Sequence, residues 1–545
     1  MFLRANKRFK DGKEHRYWSI VENRRIAGKR VVQRQVLYLG EINDSQQAAW
    51  CQAIEVFDAS TNQSKQMALF PEDRRAPPLS YDVVQIKLSG LELKRPRLWG
   101  ACWLAFELWQ QLQLDDFWQN KLLPSRKGTR WLSVLKALVC YRLIDPGSEW
   151  RLHRHWYDQS AIGDLLGEDF GIAQIDTLYR CLDKLLAHKV ALFSHLNERW
   201  KTLFNARFEI LLYDLTSTYF ECDVPENSKR KFGYSRDKRP DCVQVVIALV
   251  VTPDGFPLAY EVLDGNTSDK TTLKDFLKKI ETQYGKAHRI WVMDRGIPTE
   301  EVLSEMRTSE TPISYLVGTP KGRLTKLEQS FLKLNWEMAK NSVRVKLLQQ
   351  NGEVYVLACS DARIEKERQM RLRRLRRLVQ RLNELQQQTL TRDQLLLKLG
   401  AAKKAAGRAY GLLIIKLPGK DEEVTTQTFT FRLDRKKLRQ VRLREGRYLL
   451  RSNLLNETPT TLWTHYIQLT EVEQTFKELK SDLSVRPIYH QCDKRIEAHI
   501  FVAFLAYCLQ VTLKQRTRTL APGPAAPRAV LEKFSTMQMV DVHVQ

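Results

Sequence analysis

The chain has 545 residues, 43% of them apolar, and carries 88 Lys and Arg against 63 Asp and Glu, a formal charge of +25. That length excludes a single small domain, at roughly 100 to 200 residues per domain, and so large a basic excess points to a polyanionic partner, nucleic acid first. Nine cysteines without a Cys-x-x-Cys pair exclude a zinc ribbon or disulfide scaffold, and no apolar run approaches the roughly 18 to 20 residues that span a bilayer, so no membrane partner is expected.

Residues 1–40 hold eleven basic and three acidic side chains and alternate in hydropathy through Arg16 to Val21 and Val31 to Leu39. This predicts a basic N-terminal β unit over residues 1–75. Met1 to Arg8 lack the apolar core of a secretion signal, which places the expected chain inside the cell. Met67 to Pro78, with Pro71, Pro77 and Pro78, is a predicted linker. Helical spacing then governs residues 80–205, through Trp99, Trp103, Phe106 and Trp109, then Leu132, Leu135 and Val139, and later Leu178, Leu182 and Leu185. Such a region can bind DNA, although its Trp pattern is that of a core rather than a base-stacking surface.

From Phe208 the pattern predicts strands at 208–213, 243–251, 257–262, 289–293 and 313–317, with helices at 271–283 and 299–307. This is an α/β core over residues 206–319. Its first and fourth strands end at Asp214 and Asp294. Carboxylates are costly at a sheet edge unless a cation offsets them, and two brought together can share divalent ions. A third acid is then expected, and Glu473 is the candidate. Tyr466, Glu473 and Lys480 are spaced seven and seven on a helix from Pro459, close to two turns each, so they share a face; by spacing alone that face reads first as a solvated one with an ordinary Glu and Lys, and otherwise as one that holds a metal beside a phosphate. Glu471 and Glu478 point elsewhere.

An insertion is predicted over 320–455, with strands at 344–357, 428–433 and 447–451 and a helical arm. Core helices follow over 456–515, and a C-terminal tail over 516–545 begins near a Pro-rich linker at 521–527. Two basic segments suit DNA. Lys229, Arg230, Lys231, Arg236, Lys238 and Arg239 directly follow the first acidic strand, at the expected mouth of the site. Arg363 to Arg381 holds nine basic and two acidic residues, of which Arg371, Arg373, Arg374, Arg376 and Arg377 are the expected DNA contacts. Its seam of Leu372, Leu375, Val379 and Leu382 can pack on the insertion, on a partner protomer or on an antiparallel helix near 391–408. Arg295 either contacts phosphate or pairs with an acid. His153, His155, His490, Cys492 and His499 show no zinc spacing and are expected to be structural or surface residues. No phosphate loop or dinucleotide Gly motif is present, so no nucleotide cofactor is expected.

Tyr466 to Lys480 resembles the Tyr-x2-Arg-x3-Glu-x6-Lys signature of bacterial insertion-sequence DDE transposases of the IS-four superfamily. Leu469 stands where that signature has a phosphate-contacting Arg. Tyr213 to Phe220, Gly233 to Asp241, Gly265 to Asp269 and Val292 to Gly296 are similar to the family's other blocks in the same order, over roughly residues 140 to 510. The resemblance implies a ribonuclease H-like catalytic core with a long insertion. It implies Asp214, Asp294 and Glu473 as catalytic metal ligands for Mg²⁺, or Mn²⁺, in a two-ion site, with Tyr466 and Lys480 on DNA. The expected activity is metal-dependent cleavage at the element ends and joining of their 3′ ends to target DNA. A homodimer or higher oligomer is expected in the synaptic complex, in the bacterial cytoplasm at the nucleoid. The alternatives are a stand-alone nuclease of this fold, or a transposase-derived DNA-binding protein without catalysis.

Overall fold

The computed structural model describes residues 2–10, 13–26, 30–41, 53–58, 63–68, 91–223, 226, 228–284, 288–309, 312–340, 342–420, 422–520 and 526–544. They fall into two compact units, residues 1–99 with 159–161 and 536–545, and residues 100–158 with 162–535. Most of the two Pro-containing linkers expected at 67–78 and 521–527 lies outside the described residues.

In the smaller unit, Phe2–Lys10, Lys13–Ile26 and Arg30–Glu41 form an antiparallel three-stranded sheet, as their alternation predicts. Leu91–Leu98 pairs with Gln538–Val544, and Arg97 meets Asp541 at 2.7 Å. The last residues therefore form a strand rather than a plain tail.

The larger unit is organised by a nine-stranded sheet. Its strands are β1 (Ile210–Phe220), β2 (Val243–Val251), β3 (Pro257–Asp264), β4 (Ile290–Met293), β5 (Ser314–Thr319), β6 (Glu337–Lys340), β7 (Val343–Gln350), β8 (Glu353–Ser360) and β9 (Arg447–Ser452). In space they run β6-β7-β8-β9-β5-β4-β1-β2-β3. The order β3-β2-β1-β4-β5, with β1, β3, β4 and β5 running one way and β2 opposed to them, is the ribonuclease H-like arrangement. β2 is buried at every position, which is why it reads as an unbroken apolar run: a strand covered on both faces has no need to alternate.

Two sequence expectations change here. The first strand does not end at Asp214 but continues through Thr216, Thr218 and Tyr219 to Phe220, pairing with β2 throughout. Those β-branched and aromatic residues suit a strand whatever their polarity. The helix Asp493–Leu520 is apolar enough, at a mean hydropathy of 1.7 over 18 residues, to meet the length and composition of a membrane span, against the expectation that no such run exists. It is 94% buried within the protein over that window. Helices Gly100–Gln111, Trp131–Ile144 and Ile175–Leu185 pack on it, so the helical region and the α/β core are one body, and the boundaries expected near 205 and 515 fall inside it. Trp109, Trp118 and Trp200 are wholly buried there.

The insertion enters the sheet itself. β9 pairs antiparallel with both β5 and β8, so the sheet runs without interruption from core to insertion. The arm, Asp361–Gln386, folds back on Arg392–Ala406, and Leu378, Leu382 and Leu385 share a core with Leu395 and Leu399. Of the three partners open to the seam, the antiparallel helix takes it.

Candidate active site

Tyr213 and Met293 are partners in the parallel pairing of β1 with β4. The next residue after each is an acid, so Asp214, within β1, and Asp294, just past the end of β4, stand at the same level of the sheet. Successive strand residues face opposite sides. Tyr213 meets Phe276 of the helix Asp269–Tyr284, at 5.4 Å between rings, which sends Asp214 to the other face. There the helix Leu469–Lys477 packs on β1 and brings Glu473 to the same cleft. Asp214, Asp294 and Glu473 together line this cavity of about 290 Å³, with Arg295, Thr319, Arg363, Tyr448, Tyr466 and Leu469 among its other walls.

Burial pushes the Asp214 carboxyl up to about 7; a backbone N–H of Leu215 and the charge of Arg236 oppose the rise, while Asp294 and Glu473 add to it. Three carboxylates converge here and one is held out of its ordinary range, the pattern of a site that wants positive charge. Oxygen donors alone suit a hard divalent ion. Tyr466 Oη donates to Asp294 Oδ1 at 3.1 Å, and burial followed by the Asp294 charge raises its phenol further, so it remains a donor. Gly318 on β5 admits that ring, because a Cβ there would collide with the Tyr466 hydroxyl.

The helix carrying Glu473 is not continuous. It breaks at Gln468, and Glu478–Asp482 form a π turn. The wider turn adds a residue and rotates the positions beyond it, so Lys480 leaves the face of Tyr466 and Glu473. It pairs instead with Asp237 at 3.0 Å, which Arg486 also meets at 2.9 Å. Glu471 points away from the cleft and pairs with Lys514 at 2.9 Å; Glu478 is buried against Gln510.

The basic loop divides. Arg230 is buried, donating to the Gln491 carbonyl at 2.8 Å; Lys229 reaches the Val262 carbonyl at 2.9 Å and Glu497 at 3.3 Å; Lys231 pairs with Asp264. Arg239 pairs with Asp241 at 2.9 Å and Glu221 at 2.7 Å. Arg236 lies near enough to Asp214 to act on its charge, and Lys238 is exposed. Clustering in sequence did not foresee that nearby acids and carbonyls would take up the other four. On the arm, Arg371 is buried against Glu445, whereas Arg373, Arg374, Arg376 and Arg377 are exposed.

Sequence reasoning missed Arg363 and Tyr448 as site residues, since nothing local marks a contact made across the insertion. It also missed a buried group of Glu149, His490 and His499 whose ligand atoms could hold a metal ion. His499 Nδ1 lies 2.9 Å from Glu149 Oε1, and Arg142 lies 3.7 Å from the same oxygen. Burial would raise the Glu149 carboxyl, but the two histidines and Arg142 outweigh it and hold it well below the usual range. Both histidines are buried, not surface residues.

The family model described as Transposase DDE domain matches residues 210–509, more than half of the chain. The chain belongs to the DDE transposase family. The transposase also matches, over residues 3–56, the model described as IS1634 family transposase, N-terminal domain. It is similar to a solved piggyBac transposase synaptic complex with hairpin DNA, at 8% identity and a TM-score of 0.35, over 80% of this chain and 79% of that one. No curated protein matches it. The protein is thus a DNA transposase of insertion-sequence type, an enzyme class that works on DNA with divalent metal ions.

Proposed function

We propose that Asp214, Asp294 and Glu473 are the catalytic metal ligands of this transposase, and that the site both cuts the element ends and joins their 3′ ends to target DNA. The carrying observation is the convergence of carboxylates from three separate segments in one cleft, with the Asp214 carboxyl raised by burial to about 7. Mg²⁺, or Mn²⁺, as two ions, is the cofactor that such an oxygen donor set favours. Bound there, the ions supply the positive charge that activates a water or a 3′ hydroxyl and stabilises the leaving oxygen.

The protein's own part is to position. Tyr466 orients Asp294 through its hydroxyl. Arg295 lies on the wall of the cleft beside Asp294 and is placed for a phosphate oxygen. Arg236 and Lys238 continue the contact along one strand, and Arg373, Arg374, Arg376 and Arg377 offer a second basic face to DNA. Lys480 reaches phosphate only by leaving Asp237. A homodimer or higher oligomer would hold the two element ends at the nucleoid.

The test is cleavage and joining of a labelled element-end duplex in Mg²⁺, beside calorimetric Mn²⁺ binding. Ala at Asp214, Asp294 or Glu473 is expected to remove cleavage and weaken Mn²⁺ binding while DNA binding persists. Cleavage close to wild type in any of the three variants would take that acid out of the site.

A further inference from the structure

The cleft that holds the three acids must also receive an anion, a phosphodiester of the DNA strand, and its helix wall offers no cation for it. On that wall Leu469 is buried and apolar, and Lys480 is bound to Asp237. Among the residues lining the cleft, the cations are Arg295 and Arg363. Arg363 lies on the first turn of the arm helix, 69 positions beyond Asp294 in sequence (363 minus 294).

Its placement is fixed from two sides. The guanidinium carbon lies 4.9 Å from the centre of the Tyr448 ring, and Tyr448 stacks at 6.3 Å on Tyr466, whose hydroxyl holds Asp294. Arg363 Nε meets Glu367 Oε1 at 3.4 Å, a long contact, and Glu367 is itself anchored by the Gly446 amide at 3.1 Å. Both Nη groups have no hydrogen-bond partner among the described residues, and the side chain is 44% exposed. A guanidinium seated over a ring with its fork open is arranged for two oxygens of one phosphate.

We infer that Arg363, delivered by the insertion, is a DNA-positioning residue that takes the non-bridging oxygens of the phosphate to be cut. It occupies the role left without a cation at Leu469. The inference rests on the three-acid reading of the cleft, and the insertion then contributes to the active site directly, through Arg363 and Tyr448.

The experiment measures single-turnover cleavage of an element-end duplex and calorimetric Mn²⁺ binding in parallel, on the full chain. Arg363→Gln is expected to slow cleavage ~30- to 300-fold with unchanged Mn²⁺ affinity and unfolding temperature, and Arg363→Lys to lose less. Arg381→Ala, which removes a charge from the same helix where Arg381 pairs with Glu384, is expected to cleave normally. Placing a guanidinium on the other wall, as Leu469→Arg in the Arg363→Gln background, should recover at least ~10-fold. Wild-type cleavage by Arg363→Gln, or equal losses in Arg363→Gln and Arg381→Ala, overturns the inference and leaves the three acids standing. Weakened Mn²⁺ binding in Arg363→Gln also overturns it, assigning the residue to the shape of the metal site. Loss of Mn²⁺ binding confined to the acid variants is the separate check on the reading beneath it.

Discussion

Lys514 on the long apolar helix donates to Glu471 Oε2 at 2.9 Å, on the side of the helix Leu469–Lys477 turned from the cleft. Two residues apart on a helix lie about 200° apart, so this contact and the place of Glu473 among the acids imply each other. Glu473→Gln should therefore cut element ends at least ~1,000-fold more slowly. Glu471→Gln should cut nearly normally and lose at most ~1 kcal/mol of stability, because its ion pair is partly exposed. Reversed ranking of the two in a cleavage assay would refute the helix register.

Asp214 makes the metal-free protein sensitive to pH. Its carboxyl titrates near 7 when folded, against an ordinary carboxyl value of 3.8, so the folded state holds a proton that the unfolded chain gives up. Stability from this group is then full below about pH 4 and is lost as pH rises through 7. Asp214→Asn should raise the unfolding temperature of the metal-free protein at pH 8, by roughly 1 to 3 kcal/mol of stability, while abolishing cleavage. Divalent ions should stabilise the wild type more than this variant. A lower unfolding temperature for Asp214→Asn in metal-free buffer would show that the acid is not held against its charge.

The Asp237 carboxylate holds Lys480 and Arg486, at 3.0 and 2.9 Å, and on the proposed reading DNA would have to compete with it for them. Asp237→Asn releases both cations. DNA binding should tighten at low salt, with the slope of log K against log salt steepened by roughly 0.9 for each cation that reaches phosphate. Filter binding across a salt series checks this, and an unchanged slope would confine both cations to a structural role.

Arg371 and its neighbours on the arm should separate by assay. Gln at Arg373, Arg374, Arg376 and Arg377 together should flatten the salt slope with little change in unfolding. Arg371→Met leaves Glu445, buried beside it, with Arg368 at 3.9 Å as its remaining cation, and should destabilise the arm by about 1 to 3 kcal/mol with the slope kept. Opposite results from the two variants would exchange the roles of packing and DNA contact.

Arg451 on β9 meets Glu353 of β8 at 2.7 Å and Glu300 at 2.8 Å, and Arg307 and Tyr315 converge on the same Glu353. Arg451→Met leaves Glu353 with Arg307 as its remaining cation and should cost about 1 to 3 kcal/mol and impair cleavage without touching the acids. Glu353→Gln with Arg451→Met should be less destabilising than the single change, as chemical denaturation would report.

The core strands and the two aspartates were legible because buried strands carry their own signature, apolar runs, and because each acid follows such a run, although the strand at Asp214 runs on to Phe220. Glu473 was legible as a residue, although the equal spacing that placed Lys480 beside it assumed a regular helix, and the π turn at Glu478 moves Lys480 away. The burial of Arg230 and Arg371 was not legible, since a charge reveals its partner only when distant segments meet. For the same reason the sequence hid the pairing of β9 with β5 and the approach of Arg363 to the acids.

Because β9 is hydrogen-bonded to β5 on one edge and β8 on the other, the insertion is not an appendage that can be trimmed at its ends. Deleting residues 320–453 would uncover the backbone of β5 and offer it to any strand at hand, an invitation to aggregate. Truncation for protein engineering belongs further out, at the hairpin of Asp361–Gln386 with Arg392–Ala406, which has its own core. Even there the first turn must stay. Designers seeking a compact version of this enzyme could shorten the arm from its tip, leaving its base as part of the catalytic scaffold.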